Sequence, residues 1–213
     1  MTLPVAALFV RKDGPYFGLD GVEPWDETRD ARLYPGPHPV VAHPPCQRWG
    51  RYWSGGPSAK VRRRKGDDGG CFASALASVR KWGGVLEHPA DSAAWETFKL
   101  PKPMSGGGWV GSLFGGWTCS VEQGNYGHRA RKATWLYAFG VEPAALVWGP
   151  SGGGVRLEDG FHTSEERRAA RAAGIRPCES LSTAQREETP PEFRDLLISI
   201  ARSVYAKRAE VLP

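Results

Sequence analysis

Apolar positions fall in short unbroken runs over the first half of the chain and in a spaced stripe near its end. The two patterns predict different elements. Val5 to Val10 is a continuous apolar run and reads as a strand. Arg11-Lys12-Asp13-Gly14 follows as a turn, and Pro15 to Leu19 is expected to return as a hairpin arm. Trp25 to Asp30 is polar and reads as a short helix or loop. Pro39 to Ala42 is a second apolar run, expected to be buried on both faces in a parallel sheet. Phe72, Ala75, Leu76 and Val79 recur at helical spacing, which predicts a helix from Cys71 to Trp82 ended by Gly83-Gly84. Gly84 to Glu87 is the next strand, so strand, helix and strand form a right-handed βαβ unit. Ala94 to Phe98 is a short amphipathic piece, Pro101 to Gly116 a loop, and Thr134 to Phe139 another strand. Near the end, Thr189 reads as an N-cap, Pro190 as the first helical residue and Glu192 as the capping-box partner. Phe193, Leu196, Leu197, Ile200 and Val204 then form one apolar stripe. Together these predict an α/β fold: a Rossmann-like, mostly parallel sheet with helices on both faces, reduced at the N-terminal edge. Ligands of such sheets sit outside the carboxyl ends of the strands. Cys46 and Glu87 both fall there.

Composition narrows the setting. The 213 residues suit a single domain over 1–213. Within it, 140–185 is a small irregular insertion with a charged stretch, Ser164 to Ala173, that reads as a helix. Net charge is +5, and Lys60-Val61-Arg62-Arg63-Arg64-Lys65 packs five cations into six positions. A run of that kind is a solvated loop that often meets phosphate. The four cysteines, Cys46, Cys71, Cys119 and Cys178, are widely spaced without a CxxC pair. No signal peptide or membrane-length apolar stretch is present. These features point to a cytoplasmic setting with free thiols and no membrane partner.

Three clusters carry candidate chemistry. The first is His43-Pro44-Pro45-Cys46-Gln47, a thiol at the tip of a rigid turn after the second strand. The second is Val85-Leu86-Glu87-His88-Pro89, a strand ending in an acid, and the third is Tyr126-Gly127-His128-Arg129-Ala130-Arg131-Lys132. Each alone is weak: a lone cysteine is more often packing, and Arg129 and Arg131 alone read as surface charge. Their order is the stronger signal. Pro-Pro-Cys-Gln, a basic loop and helix, Glu-x-Pro, then Gln…Arg-x-Arg resembles the DNA cytosine-5 methyltransferases, and within them the short, phage-borne members. The resemblance covers roughly residues 29 to 137 and 185 to 205.

The resemblance implies a methyltransferase-like domain in which 140–185 stands in place of a target-recognition region. It implies Cys46 as the nucleophile on carbon 6 of a flipped cytosine, Glu87 as the acid at ring nitrogen 3, and Arg129 and Arg131 as support. It implies S-adenosyl-L-methionine as cofactor, with Asp30, Pro44 and Pro45 lining its site, and DNA as partner. Gln47, Arg51, Arg62, Arg63, Arg64, Lys65 and Gln123 are the matching nucleic-acid contacts. For a phage-borne member the location is the host cytoplasm. The chain departs from the family in three places. No Phe-x-Gly-x-Gly loop follows the first strand, His88 stands where the family has Asn, and Gln123 is set apart from Arg129.

The chemistry explains the residue types. Carbon 5 of a pyrimidine is a poor nucleophile until a thiolate adds at carbon 6. The thiol must ionise, and His43, Arg48 and Arg51 are the candidate neighbouring cations. Glu87, partly desolvated at a strand end, is expected to have a raised pKa. The base must leave the stack, with Tyr52 and Trp53 as stacking candidates. Two other functions remain open: a phage-type base hypermodification enzyme using the same adduct with another electrophile, and a catalytically silent DNA-binding remnant. A fourth arrangement gathers His43, Cys46, His88 and Cys119 around zinc, although the paired-Cys and His-x-Glu spacing of zinc deaminases is missing, and the leading reading has no metal. Cys71, Cys119 and Cys178 read as structural.

Overall fold

The computed structural model describes residues 2–50, 53–54, 60, 63–152, 155, 157, 164–175 and 181–211. The strands are β1 (Val5–Leu8), β2 (Val22–Trp25), β3 (Val40–Ala42), β4 (Gly84–Pro89), β5 (Val110–Gly111), β6 (Trp117–Glu122) and β7 (Ala133–Phe139). The helices are α1 (Cys71–Trp82), α2 (Ala93–Thr97), α3 (Ser164–Ala172), α4 (Thr183–Glu187) and α5 (Pro191–Val211). One sheet holds the strands in the order β2-β1-β3-β4-β7-β6-β5. The first four run parallel, while β7, β6 and β5 join by antiparallel pairing. The sheet is therefore mixed, parallel at one end only.

The parallel half follows from the apolar runs. Val5, Ala7, Val41 and Val85 point to one face, and Ala6, Leu8, Val40, Ala42 and Leu86 to the other; all are fully buried. Both faces must then be covered. α1 covers the second set with Phe72, Ala75, Leu76 and Val79. α5 covers the first with Phe193, Leu197, Ile200, Ala201 and Val204. Gly84 lets β4 leave α1 and reach β3. Its φ is +121°, and a Cβ there would stand 2.0 Å from the Val40 carbonyl oxygen, so no other residue fits.

Several expectations are corrected. Residues 15–19 do not return as a hairpin arm. Gly14 N donates to Arg11 O and Phe17 N to Gly14 O, both at 3.0 Å, and the chain turns back along the sheet. A strand parallel to β1 has to begin at the same end, which is why β2 starts only at Val22. Pro24, which lacks an N–H, is tolerated because β2 is the edge. A short strand, β5, lies inside the segment read as a loop over Pro101 to Gly116. β6 was not expected at all, although Trp117-Thr118-Cys119-Ser120-Val121-Glu122 alternates apolar and polar. α5 begins at Pro191 rather than Pro190, whose carbonyl accepts from Arg194 N at 2.9 Å. The capping box occurs instead at α4, between Ser182 and Gln185. Among the described residues no helix is long and apolar enough to cross a membrane.

Candidate active site

The chain leaves β1 for β2 on one side and crosses to β3 on the other, so the strand order reverses at the carboxyl ends of β1 and β3. A crevice outside such a switch point is where open parallel sheets take ligands. His43 N continues the ladder there, donating to Leu8 O at 3.0 Å. Pro44 and Pro45 carry the chain out, and Cys46 stands at the turn, half-buried. The turn closes as Trp49 N and Gly50 N both donate to Cys46 O, at 2.9 and 3.0 Å. Trp49 then drives its ring into the core against Phe72 and Phe98, and its Nε1 donates to Asp68 Oδ2 at 2.7 Å. The same carboxylate caps α1 through Phe72 N at 2.9 Å. The thiol is thus fixed between two prolines and a buried tryptophan.

β4 lies next to β3 and presents Glu87 beside this turn. His43 Nδ1 is 2.9 Å from Glu87 Oε2, and His43 Nε2 is 2.8 Å from the Tyr16 hydroxyl. Gln123 Nε2 donates to Glu87 Oε1 at 3.2 Å and to Thr134 Oγ1 at 3.0 Å. The result is one chain of hydrogen bonds: Tyr16, His43, Glu87, Gln123, Thr134. Burial alone would push the Glu87 carboxyl up. The His43 hydrogen bond and the charges of His43 and Lys132 more than offset it and hold the group below its ordinary value. This reverses the expected raised pKa. Tyr16, enclosed and facing that carboxylate, is pushed up by burial first and by Glu87 second, and stays a phenol. The Cys46 thiol is pushed up by burial and then by Glu87, while Lys132 pulls it down.

Lys132 is the cation at this site. It precedes β7 with a left-handed φ of 40°, and its Nζ donates to Glu188 O at 2.7 Å. Burial lowers its pKa, and the charges of Glu87 and then Cys46 oppose the shift. Arg131 points elsewhere: its Nε binds both Glu122 oxygens, at 3.0 and 2.9 Å, and its side chain is 57% exposed. That pairing holds Glu122 at about 2, and Ser151 N adds a bond at 2.7 Å. Arg129 is exposed at the surface of the same turn. Arg131 is therefore spent on Glu122, and Lys132 is the cation whose charge acts on Glu87. Gln123 comes to the site despite its distance from Arg129, since its N–H and that of Gly124 bond Lys132 O and Arg131 O across the β6–β7 connection.

The other expected residues scatter. Gln47, Arg63, Arg64 and Lys65 are exposed, and Gly66 N donates to Arg48 O at 3.0 Å, which sets the end of the basic run beside the Cys46 turn. Arg51, Tyr52, Arg62 and Cys178 lie outside the described residues. Asp30 spends both carboxylate oxygens on Arg32, each at 2.8 Å, and caps a 3₁₀ turn. Pro44 is buried and Pro45 exposed. The acid at the carboxyl end of β2 is instead Asp26, whose Oδ1 accepts from Thr28 Oγ1 and N and from Arg29 N. The zinc arrangement does not assemble. Cys119 lies in the α5-side core and His88 in the α1-side cluster, and no candidate metal cluster occurs among the described residues.

The loop after β1 does not build a glycine cradle for S-adenosyl-L-methionine. Its glycines are Gly14, Gly18 and Gly21; Gly14 closes a turn on itself, with Arg11 O 2.7 Å from where a Cβ would stand, and Gly21 packs on Thr2 and Arg202. Tyr16, Lys132 and Thr134 are the site residues that the sequence did not single out. Lys132 had a signal, its place in the same cluster as the arginines; Tyr16 had none. Comparison with family models, with curated proteins and with solved structures finds no match for this chain.

Proposed function

We propose that the protein is a DNA-pyrimidine C5-modifying enzyme of the cytosine-5 methyltransferase type, on a Rossmann-like domain, with Cys46 adding to carbon 6 of a base drawn out of its stack. The observation that carries the proposal is the Cys46 turn at the sheet's switch point, beside a Glu87 held by His43 and Gln123 and within the field of Lys132. A thiol needs a cation to ionise and a pyrimidine adduct needs hydrogen-bonding groups on its ring edge. The cluster brings Lys132 and the hydrogen-bonding groups together, while burial and then Glu87 outweigh Lys132 and hold the thiol above its ordinary value. The exposed Arg63, Arg64 and Lys65, tied to the same turn through Arg48, suit the phosphates of a strand. By resemblance the methyl donor would be S-adenosyl-L-methionine, which the self-closed turn after β1 does not fit.

A second reading keeps the Cys46 adduct and replaces the electrophile, giving a phage-type hypermodified base. The self-closed Arg11–Gly14 turn favours it. Nucleoside mass spectrometry of DNA from cells expressing the protein tests both. A new pyrimidine nucleoside present with wild type and absent with Cys46→Ser is the expected result, and its mass names the group added. DNA bound but no nucleoside altered would leave a silent binding remnant in place of an enzyme.

A further inference from the structure

As a carboxylate, Glu87 meets its surroundings as a hydrogen-bond acceptor. Thr134 Oγ1 spends its hydrogen on Lys132 O at 3.1 Å, so it must accept from Gln123. That fixes the Gln123 amide with its NH₂ toward Thr134 and toward Glu87 Oε1. The other carboxyl oxygen faces His43 Nδ1 at 2.9 Å. With Glu87 ionised, His43 donates to it from Nδ1 and Gln123 from Nε2. Both bonds favour the ionised carboxylate, whose remaining lone pairs can only accept from a substrate. Beside these acceptors stands the Lys132 ammonium, whose charge acts on both Glu87 and Cys46.

We propose that the base taken by this site is a 2,4-dioxo pyrimidine, uracil or a 5-substituted relative, in preference to cytosine; this rests on the covalent reading above. Such a ring shows an N3–H donor between two carbonyls, which an acceptor-only carboxyl matches. When Cys46 sulfur bonds carbon 6, the electron pair of the 5,6 double bond moves toward the C4 carbonyl and makes an enolate, and Lys132 supplies the opposite charge. Cytosine presents a bare N3 lone pair at that edge. Its amino group can reach an acceptor, but its adduct needs a proton at N3, and the His43 and Gln123 bonds favour the form of Glu87 that carries none.

Thiolate addition is reversible and needs no second substrate. The enolate takes a proton from water at carbon 5, the original C5 hydrogen then leaves to water, the double bond re-forms, and the thiolate is released. Carbon 5 therefore exchanges hydrogen with solvent. The test incubates the full-length protein in deuterated buffer with single-stranded oligonucleotides carrying one deoxyuridine or one deoxycytidine, and reads deuterium at C5 by mass spectrometry. Exchange into deoxyuridine should be faster by about tenfold or more, because a mismatched buried hydrogen bond at the ring edge is felt in the addition step. Cys46→Ser should abolish it, and Glu87→Gln, whose amide can donate, should narrow or reverse the preference. Cys46-dependent exchange that favours deoxycytidine in the wild type would overturn the proposal and leave the covalent reading standing. If neither base shows Cys46-dependent exchange, the covalent reading itself fails and this proposal fails with it.

Discussion

Replacing His88 by phenylalanine should remove most of the acid sensitivity of folding between pH 8 and pH 5. His88 is 1% exposed, and neither ring nitrogen has a well-formed hydrogen bond; the Pro45 carbonyl only approaches. Its ring lies edge-on to Phe72 at 5.2 Å and against Trp95 at 6.3 Å. Burial lowers its pKa from 6.5 to about 4. A histidine that binds its proton less readily when folded contributes fully above its unfolded value. That contribution is lost as the pH falls from about 6.5 toward 4, because the unfolded chain is protonated first. The gap corresponds to about 3 kcal/mol at its limit and about 2 kcal/mol by pH 5. Glu87, whose folded value is lowered, titrates in the opposite sense from burial, and its contribution is lost only below the usual carboxylate range. His128 is also depressed by burial, but it is common to both proteins. Urea unfolding of wild type and His88→Phe at pH 8 and pH 5 isolates the difference, since any packing change from the larger ring acts equally at both. Wild type should lose about 2 kcal/mol more than the variant on acidification. Equal losses would show that His88 is solvated or paired and would refute the reasoning.

Lys132→Met should raise the apparent pKa of Cys46, as removal of a nearby opposite charge does. Iodoacetamide labelling of the Cys46 peptide against pH measures it, and an unchanged profile would detach Lys132 from the thiol. Changing Arg63, Arg64 and Lys65 together to alanine should lower the slope of log affinity against log salt on single-stranded DNA by about two. Fluorescence anisotropy across a salt series reads this, and an unaltered slope would remove the loop from the DNA surface. Asp68→Ala should cost about 2–4 kcal/mol, because it strips the cap from α1 and leaves the buried Trp49 Nε1 without its acceptor. Chemical denaturation checks it, and a loss under about 0.5 kcal/mol would mean that the Cys46 turn is anchored by other contacts.

Local pattern determined three of the four parallel strands and the helix between two of them. β1, β3, α1 and β4 were legible because their apolar runs and the helical spacing of Phe72, Ala75, Leu76 and Val79 answer to burial on both faces of one sheet. The place of Cys46 just past β3 was legible for the same reason, whereas Glu87 lies within β4, which runs on to Pro89. Two features depended on residues far apart in the chain. β6 became a strand by pairing with β7, and that hairpin is what carries Gln123 and Lys132 to Glu87. Tyr16 reached His43 only because the chain had to turn back to start a parallel β2. The choice of Lys132 over Arg129 and Arg131 as the inward cation was also tertiary. Four adjacent residues cannot all face one point, and the φ of 40° at Lys132, with Glu122 waiting for Arg131, selects which one does. Local pattern picked out Cys46 and Glu87 and several of the elements that hold them. Their hydrogen-bonding roles, above all Glu87 as an acceptor, arise from long-range partners that no local pattern encodes.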